Sequence, residues 1–252
     1  MKILICNDDG YQAPGIVALY DALKGIADVE VIAPQRNNSA KSNALTLHEP
    51  LYVEQANNGF RYVTGTPADC VHIALKGLLN YKPDLVVSGI NNGANLGDDT
   101  IYSGTVGAAM EAYLFGIPAI AFSQVKKGWA HLDAAALKAR DVVQQVMQQI
   151  ENKTQAFEPC LLNVNIPNLP YADIQPMQVC RLGTRHTSEN VITQTSPFGR
   201  TMYWIAGSGP AKDGSVGTDF HAIANGHVSV TPLNTDLSHH SKLPDWQRIL
   251  QN

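Results

Sequence analysis

Residues 2–34 read KILICNDDGYQAPGIVALYDALKGIADVEVIAP, and this stretch decides the fold class. Its first apolar run, residues 2–6, predicts a short buried strand that ends at the NDDG sequence of residues 7–10. Pro14 then opens an amphipathic helix, and residues 29–33 predict a second strand. A strand, a helix and a strand in this order form a right-handed crossover, which implies a parallel sheet.

The alternation of strands and helices continues to about residue 155. We predict further strands over residues 51–54, 61–64, 84–88, 118–122 and 161–165, and helices over residues 66–79, 105–115 and 132–150. Residues 175–206 predict a protruding β-hairpin arm that packs on another subunit, because a long isolated hairpin is marginal in water. A strand over residues 228–232 and a short C-terminal helix complete the expected α/β domain.

Composition excludes several classes of protein. The chain has 252 residues, of which 44% are hydrophobic and 16% charged, as is ordinary for a globular enzyme. The net charge is −4 and no block of Lys and Arg occurs, which argues against tight binding of long nucleic acid. No signal peptide is apparent, and no apolar run reaches the ~20 residues of a membrane span. We therefore expect a soluble cytoplasmic protein, with four cysteines that are reduced structural thiols.

The Asp8-Asp9 pair is the sharpest feature of the sequence. Adjacent carboxylates at a strand end repel each other, so the pair favours a bound cation or one raised pKa. A hard divalent ion, Mg²⁺ or Mn²⁺, fits oxygen ligands best. The competing interpretation is an Asp-Gly turn in which Asp8 caps the following helix.

Two other loops follow predicted strands at the same edge of the sheet, where open α/β sheets bind ligands. Ser39 and Asn91 lie in these loops, and each can add a neutral oxygen ligand for the metal. Ser and Asn are also common in ordinary turns, which is the alternative for each residue taken alone.

A candidate phosphate site lies just before the helix predicted from residue 105. Backbone N–H groups at a helix N-terminus bind phosphate, and Ser103-Gly104-Thr105 stands at that position. Asn95 can donate its amide to the same phosphate. An ordinary Ser or Thr cap fits the three residues equally well. The loops match neither the dinucleotide fingerprint nor the P-loop, and no G-x-S-x-G occurs. His186, at the base of the expected arm, is a further candidate for the active site.

A series of short motifs runs through nearly the whole chain in a fixed order. They are NDDG at 7–10, APG at 13–15, AP at 33–34, RN at 36–37 with Ser39, SN at 42–43, LT at 45–46, GTP at 65–67 with DC at 69–70, SGIN at 88–91, NLG at 95–97, YSGTVG at 102–107 with Glu111, GTRH at 183–186, TDF at 218–220 and VSVTPL at 228–233. Together they resemble the SurE survival-protein nucleotidases. Ala40 stands where that family usually has Gly, and His221 also departs from its pattern.

The resemblance implies a 5′/3′-nucleotidase that acts on nucleoside monophosphates, with some activity on short polyphosphate. It implies a divalent metal held by Asp8, Asp9, Ser39 and Asn91, and phosphate near Asn95 and Ser103-Gly104-Thr105. It also implies a Rossmann-like three-layer core over residues 1–155. Residues 156–252 would then hold the last core strands, the hairpin arm and an exchanged C-terminal element, in a homodimer or homotetramer.

The expected chemistry is attack by a metal-activated water, with Asp8 and Asp9 as metal ligands and either aspartate as a possible base. One alternative is a phospho-aspartate at Asp8, as in haloacid-dehalogenase-type phosphatases, although those carry D-x-D rather than the Asp8-Asp9 pair. Others are a non-catalytic nucleotide-sensing module and a sugar-nucleotide glycosyltransferase. The sensing module would need no carboxylate pair beside its phosphate, and the glycosyltransferase usually needs a second full domain.

Overall fold

A computed structural model of the chain describes residues 1–152, 158–185 and 191–251. Its centre is a sheet of nine strands in the order β3-β4-β2-β1-β5-β6-β7-β13-β8. These strands are β1 (Lys2–Cys6), β2 (Asp28–Pro34), β3 (Val53–Gln55), β4 (Arg61–Val63), β5 (Leu85–Asn92), β6 (Ala119–Val125), β7 (Leu161–Pro167), β8 (Gln175–Val179) and β13 (His227–Leu233). The neighbours from β4 to β7 are all parallel, whereas β3 and β13 pair antiparallel with β4 and β7.

Helices cover both faces of this sheet. They are α1 (Pro14–Leu23), α2 (Pro67–Ile73), α3 (Gly104–Leu114), α4 (Leu132–Glu151) and α5 (Asp219–Ala224). A C-terminal helix, α6 (Leu243–Leu250), mainly contacts the short turn before it. Side chains alternate between the faces of a strand, so Ile3 and Ile5 of β1 pack in the cluster with α1 and α4. Leu4 and Cys6 pack on the other face, with α2 and α3. The three-layer, Rossmann-like α/β fold expected from the sequence is confirmed.

The register of the parallel strands brings their carboxyl ends to one edge. Cys6 of β1 pairs with Ser88 of β5, and Asn91 of β5 pairs with Ser123 of β6. The loops that follow β1, β2 and β5 therefore meet at this edge, together with the N-terminus of α3. It is the edge at which open α/β sheets bind ligands.

The prediction of an arm over residues 175–206 was wrong in its first part. Residues Gln175–Val179 form β8, which pairs in parallel with β13 at the end of the main sheet. The hairpin is shorter and consists of β10 (Ile192–Thr195) and β11 (Thr201–Trp204). A separate antiparallel pair joins β9 (Thr184–Arg185) to β12 (Ala211–Asp213). Packing of the hairpin on another subunit stays a prediction.

Two other elements differ in extent from the prediction. The helix expected over residues 66–79 is an α-helix only over α2. It continues as a wider π-helical turn over Ala74–Leu78. The strand expected over residues 84–88 extends as far as Asn92 in β5, so Asn91 belongs to the strand end and not to the loop after it. In the part of the chain that the structure describes, no helix is long and apolar enough to cross a membrane.

Candidate active site at the carboxyl edge of the sheet

Asp8 lies directly against the N-terminus of α3. Its side chain is buried, and its Oδ1 accepts a hydrogen bond from the hydroxyl of Thr105. The contact needs a glycine at the neighbouring position, because a Cβ on Gly104 would lie 2.9 Å from Cβ of Asp8. Burial raises the pKa of Asp8 to about 6; the Thr105 hydrogen bond opposes this rise and the charge of Asp9 adds to it. Asp8 is thus a buried carboxylate whose charged form is disfavoured chiefly by desolvation.

Asp9 links the loop after β2 to the end of β5 through hydrogen bonds. Its Oδ1 accepts from the amide of Asn37 at 3.1 Å, and its Oδ2 accepts from the backbone N–H of Asn92 at 3.2 Å. Burial raises the pKa of Asp9, while the hydrogen bonds from Asn92 and Asn37 and the charge of Lys127 oppose the rise. Asp9 therefore does not cap a helix, and neither does Asp8: Ala13 is the residue at the N-cap of α1. The competing interpretation of the pair as a capping turn is wrong.

The two neutral residues expected beside the pair, Ser39 and Asn91, lie in the loop after β2 and at the end of β5. The hydroxyl of Ser39 donates to Oδ1 of Asn37 at 2.7 Å. The amide of Asn37 in turn donates to Asp9, so Ser39 and Asp9 are linked through the side chain of Asn37. The amide nitrogen of Asn91 donates to the carbonyl of Gly93 at 2.9 Å, so the atom of this side chain that could bind a cation is the amide oxygen. Ala40 adopts a φ of 61°, so it takes the left-handed conformation that favours the glycine usual in the family.

The start of α3 has the form expected of an anion site. Ser103 is the N-cap, and its Oγ accepts from the N–H of Val106 at 3.1 Å. The first-turn N–H groups of a helix have no partner within the helix, and they carry the positive end of its dipole. Ser103 and Thr105 are both buried, so an anion here would be largely withdrawn from water. Ser103 is thus a cap, and the capping role is compatible with anion binding at the same helix end.

Asn95 is held by a group of buried polar side chains that sequence reasoning missed. Its amide donates to Oγ of Ser123 at 2.7 Å, and its backbone N–H donates to Oδ1 of Asn165 at 2.9 Å. Its carbonyl accepts from the amides of Asn163 at 2.8 Å and Asn165 at 3.0 Å. The signal in the sequence was the alternation of Asn with apolar residues in LLNVN over residues 161–165, which places both asparagines on one face of β7.

A second missed residue comes from far along the chain. The carboxylate of Asp219, fully buried at the start of α5, accepts from the N–H of Gly97 at 2.7 Å and from that of Gly183 at 2.8 Å. It therefore fixes the turn between Asn95 and Ser103. Arg185 forms an ion pair with Asp99 in the same turn. His186 lies outside the described residues.

The donor set at this edge suits a hard cation. It offers two carboxylates, a hydroxyl and an amide oxygen, which are the oxygen ligands that Mg²⁺ and Mn²⁺ prefer. Among the described residues, no group of three His, Cys, Asp or Glu side chains is placed to hold a metal ion. Burial is the main cause of the raised pKa of both aspartates, and a bound cation would favour their charged forms.

The fold places the chain among the α/β proteins with a Rossmann-like parallel core. Its polar residues gather at the edge of the sheet formed by the carboxyl ends of the strands. A family model described as "Survival protein SurE" matches residues 3–189, and the chain belongs to the SurE family. It is 72% identical over 250 residues to the 5′-nucleotidase SurE of Variovorax paradoxus (strain S110), covering 99% of this chain and 98% of that protein.

Other relatives agree with this assignment. The chain is 68% identical over 250 residues to the 5′-nucleotidase SurE of Polaromonas naphthalenivorans (strain CJ2), covering 98% of this chain and 96% of that protein. The crystal structure of the SurE protein from Aquifex aeolicus superimposes with a TM-score of 0.85 at 42% identity, and 99% of each chain is covered.

Proposed function

We propose that the chain is a metal-dependent nucleotidase that hydrolyses nucleoside 5′- and 3′-monophosphates, with short polyphosphate as a further substrate. The observation that carries this proposal is the contact of Asp8 with Thr105, because it brings a pair of strand-end carboxylates to a helix N-terminus. A metal and a phosphate would thus be neighbours. The names of the relatives, 5′-nucleotidase SurE, support the same activity.

Asp8, Asp9, Ser39 and Asn91 would hold the divalent ion, Mg²⁺ or Mn²⁺. When bound, the ion supplies charge neutralisation and a lowered pKa for the attacking water. Thr105 keeps Asp8 in place through its hydroxyl, and Asn37 and the backbone of Asn92 do the same for Asp9. Fixed ligands cost no reorganisation during the reaction.

The phosphoryl group would lie at the start of α3. There Ser103, Gly104 and Thr105 would present backbone N–H groups, and Ser103 its hydroxyl, to the charge that develops on the phosphoryl oxygens. Asn95 would bind from the neighbouring turn, held by the asparagines of β7. Asp8 or Asp9 would orient the attacking water or accept its proton. Direct attack by water predicts inversion at phosphorus, whereas a phospho-aspartate at Asp8 predicts retention.

The decisive experiment is phosphate release from a panel of 5′- and 3′-nucleotides, with chelation followed by addition of Mn²⁺ or Mg²⁺. We expect chelation to abolish turnover and either ion to restore it. Full activity after chelation would exclude a metal site of this kind, and no release from any nucleotide would exclude the nucleotidase. A protein that binds nucleotide without turnover would be the sensing module.

We also propose that the protein acts in the cytoplasm on free nucleotides, as a homodimer or homotetramer. The support for assembly is a set of large apolar side chains on the surface. In α6 they include Trp246, which is 58% exposed, and in the hairpin β10–β11 they include Tyr203, which is 70% exposed. Such residues mark surfaces that associate with other protein.

A further inference from the structure

The loop between β6 and α4 borders the candidate site and carries two adjacent lysines, Lys126 and Lys127. Neither has a role in the proposed mechanism. The loop is fixed at the carboxyl edge from both sides: the N–H of Gly128 donates to Oδ1 of Asn92 at 2.9 Å, and the N–H of His131 donates to Oδ1 of Asn168 at 3.1 Å. Lys127 therefore stands on an anchored segment beside the end of β5.

The side chain of Lys127 lies over Gly93. A Cβ built on Gly93 would be 3.7 Å from both Cγ and Cε of Lys127, which is ordinary van der Waals contact along the lysine stem. Gly93 directly follows Asn92, whose backbone N–H donates to Asp9. The lysine thus covers the segment that holds one of the two carboxylates, and its charge acts on Asp9.

The position of this charge needs an explanation. Lys127 is exposed, and within the described ranges its ammonium forms no salt bridge. A lysine beside a pair of metal-binding carboxylates weakens the binding of a cation, because like charges repel. An anion at the same place would be attracted. The nucleotide phosphate is the anion that the proposed function brings to this edge.

We infer that Lys127 binds the phosphate group of the substrate from the loop after β6, so that the anion is held by this lysine as well as by the start of α3. This inference rests on the proposed function for the identity of the anion. It assigns to the chain a substrate-binding residue that lies outside the motifs by which the family is recognised.

A direct role for the charge predicts effects of opposite sign on the two ligands. Lys127→Gln removes a repulsion from the cation, so Mn²⁺ should bind more tightly in the absence of phosphate, by about threefold. The same change removes an attraction for the anion, so inorganic phosphate should bind more weakly to the Mn²⁺-loaded protein, by about fivefold; each factor corresponds to a partly solvated charge pair. If the role of Lys127 were purely structural, Lys127→Gln would bind both Mn²⁺ and phosphate more weakly.

The experiment compares Lys127→Gln with Lys127→Arg and with Lys126→Gln, which removes the same charge from the adjacent exposed position. Mn²⁺ binding is measured from the free-ion electron paramagnetic resonance signal, and phosphate binding by calorimetry. We expect the opposite shifts only in Lys127→Gln, with recovery in Lys127→Arg. With AMP, KM should rise about fivefold while kcat changes less than about twofold, and the difference should shrink at high ionic strength.

Two results would overturn the inference: weaker binding of both ligands to Lys127→Gln, or shifts no larger than those of Lys126→Gln. Failure of the proposed function gives a different result. If the unaltered protein releases phosphate from no nucleotide, the nucleotidase proposal falls, and the binding measurements with Mn²⁺ and inorganic phosphate still decide the role of Lys127.

Discussion

At the scale of single residues, the environment of Asp8 distinguishes it from an ordinary surface carboxylate. It is 4% exposed, it touches the start of α3, and its only side-chain donor is the hydroxyl of Thr105 among the described contacts. Burying an ionised carboxylate without a partner charge is costly. A buried carboxylate of this kind suits a site that binds a cation, because the cation would neutralise its charge.

Asp8→Asn should reduce phosphate release from AMP by at least about a hundredfold, since it removes the charge of a proposed metal ligand. The fold should remain, because the amide has the same size and its oxygen can still accept from Thr105. Asp21→Asn, on the exposed face of α1, is the matched control and should keep full activity. Steady-state turnover and circular dichroism measure the two effects. Near-normal turnover of Asp8→Asn would contradict the metal assignment.

The raised pKa of Asp8 also predicts how the stability of the metal-free protein depends on pH. The pKa is 3.8 in the unfolded chain and about 6 in the folded one. The folded state therefore binds more protons in this window, and the free energy of unfolding falls as pH rises through it. The loss approaches on the order of 3 kcal/mol, at about 1.4 kcal/mol per pKa unit.

Urea denaturation of the chelated protein between about pH 4 and pH 7 measures this dependence. Asp8→Asn should lose the part of the slope that Asp8 contributes, and saturating Mn²⁺ should oppose the destabilisation at the upper end. Equal slopes for the two proteins would show that Asp8 does not titrate in this window.

At the scale of elements, the sequence was sufficient to predict the strands and helices whose pattern is local. Strands β1, β2, β6 and β7 and helices α1, α3 and α4 follow from apolar runs, helical periodicity and Pro or Gly boundaries, and each begins and ends near the predicted residue. The assignment of residues 175–179 failed because alternation predicts a strand without naming its partner. Its partner is β13, about fifty residues later.

The candidate site was predictable only in part, for the same reason. Asp8, Asp9 and Thr105 were identified from their places at a strand end and a helix start. Asn163, Asn165 and Asp219 were not, because each acts on a turn that is distant in sequence. The role of a buried asparagine in a strand can be recognised only when the backbone group that it binds is known, and the sequence does not show that group.

The asparagines of β7 give a prediction at this scale. Asn165→Ala removes the partner of the N–H of Asn95 and one of the two donors to its carbonyl, so that only Asn163 still donates there. We expect a loss of about 2–4 kcal/mol in the free energy of unfolding, because two buried hydrogen bonds are broken. KM for AMP should also rise as the turn loosens. Asn57→Ala, at an exposed loop position, is the control. A stability change equal to that of the control would contradict this role.

At the scale of the whole molecule, the C-terminal segment carries the clearest unpartnered surface. Helix α6 contacts the short turn before it more than any distant part of the fold. Its large apolar side chains are exposed: Leu243 is 57%, Trp246 58%, Ile249 63% and Leu250 77% exposed. These positions recur at helical spacing, so they lie along one side of α6.

Trp246→Glu combined with Ile249→Glu should shift the protein to a smaller assembly, because charges would be buried in any contact between subunits. Light scattering after size exclusion measures the mass. Gln247→Glu with Gln251→Glu adds the same charge to the same segment and should leave the mass unchanged. An unaltered mass in the first variant would exclude α6 from the contact, and a monomeric unaltered protein would exclude assembly.

The bond from Gly97 to Asp219 has a consequence for the order in which the protein is made. A ribosome delivers the aspartates, the start of α3 and the turn between them within the first half of the chain. The carboxylate that fixes this turn emerges only at residue 219. A nascent chain can therefore pair most of its central strands early, yet the turn between Asn95 and Ser103 gains this bond only after residue 219 has emerged.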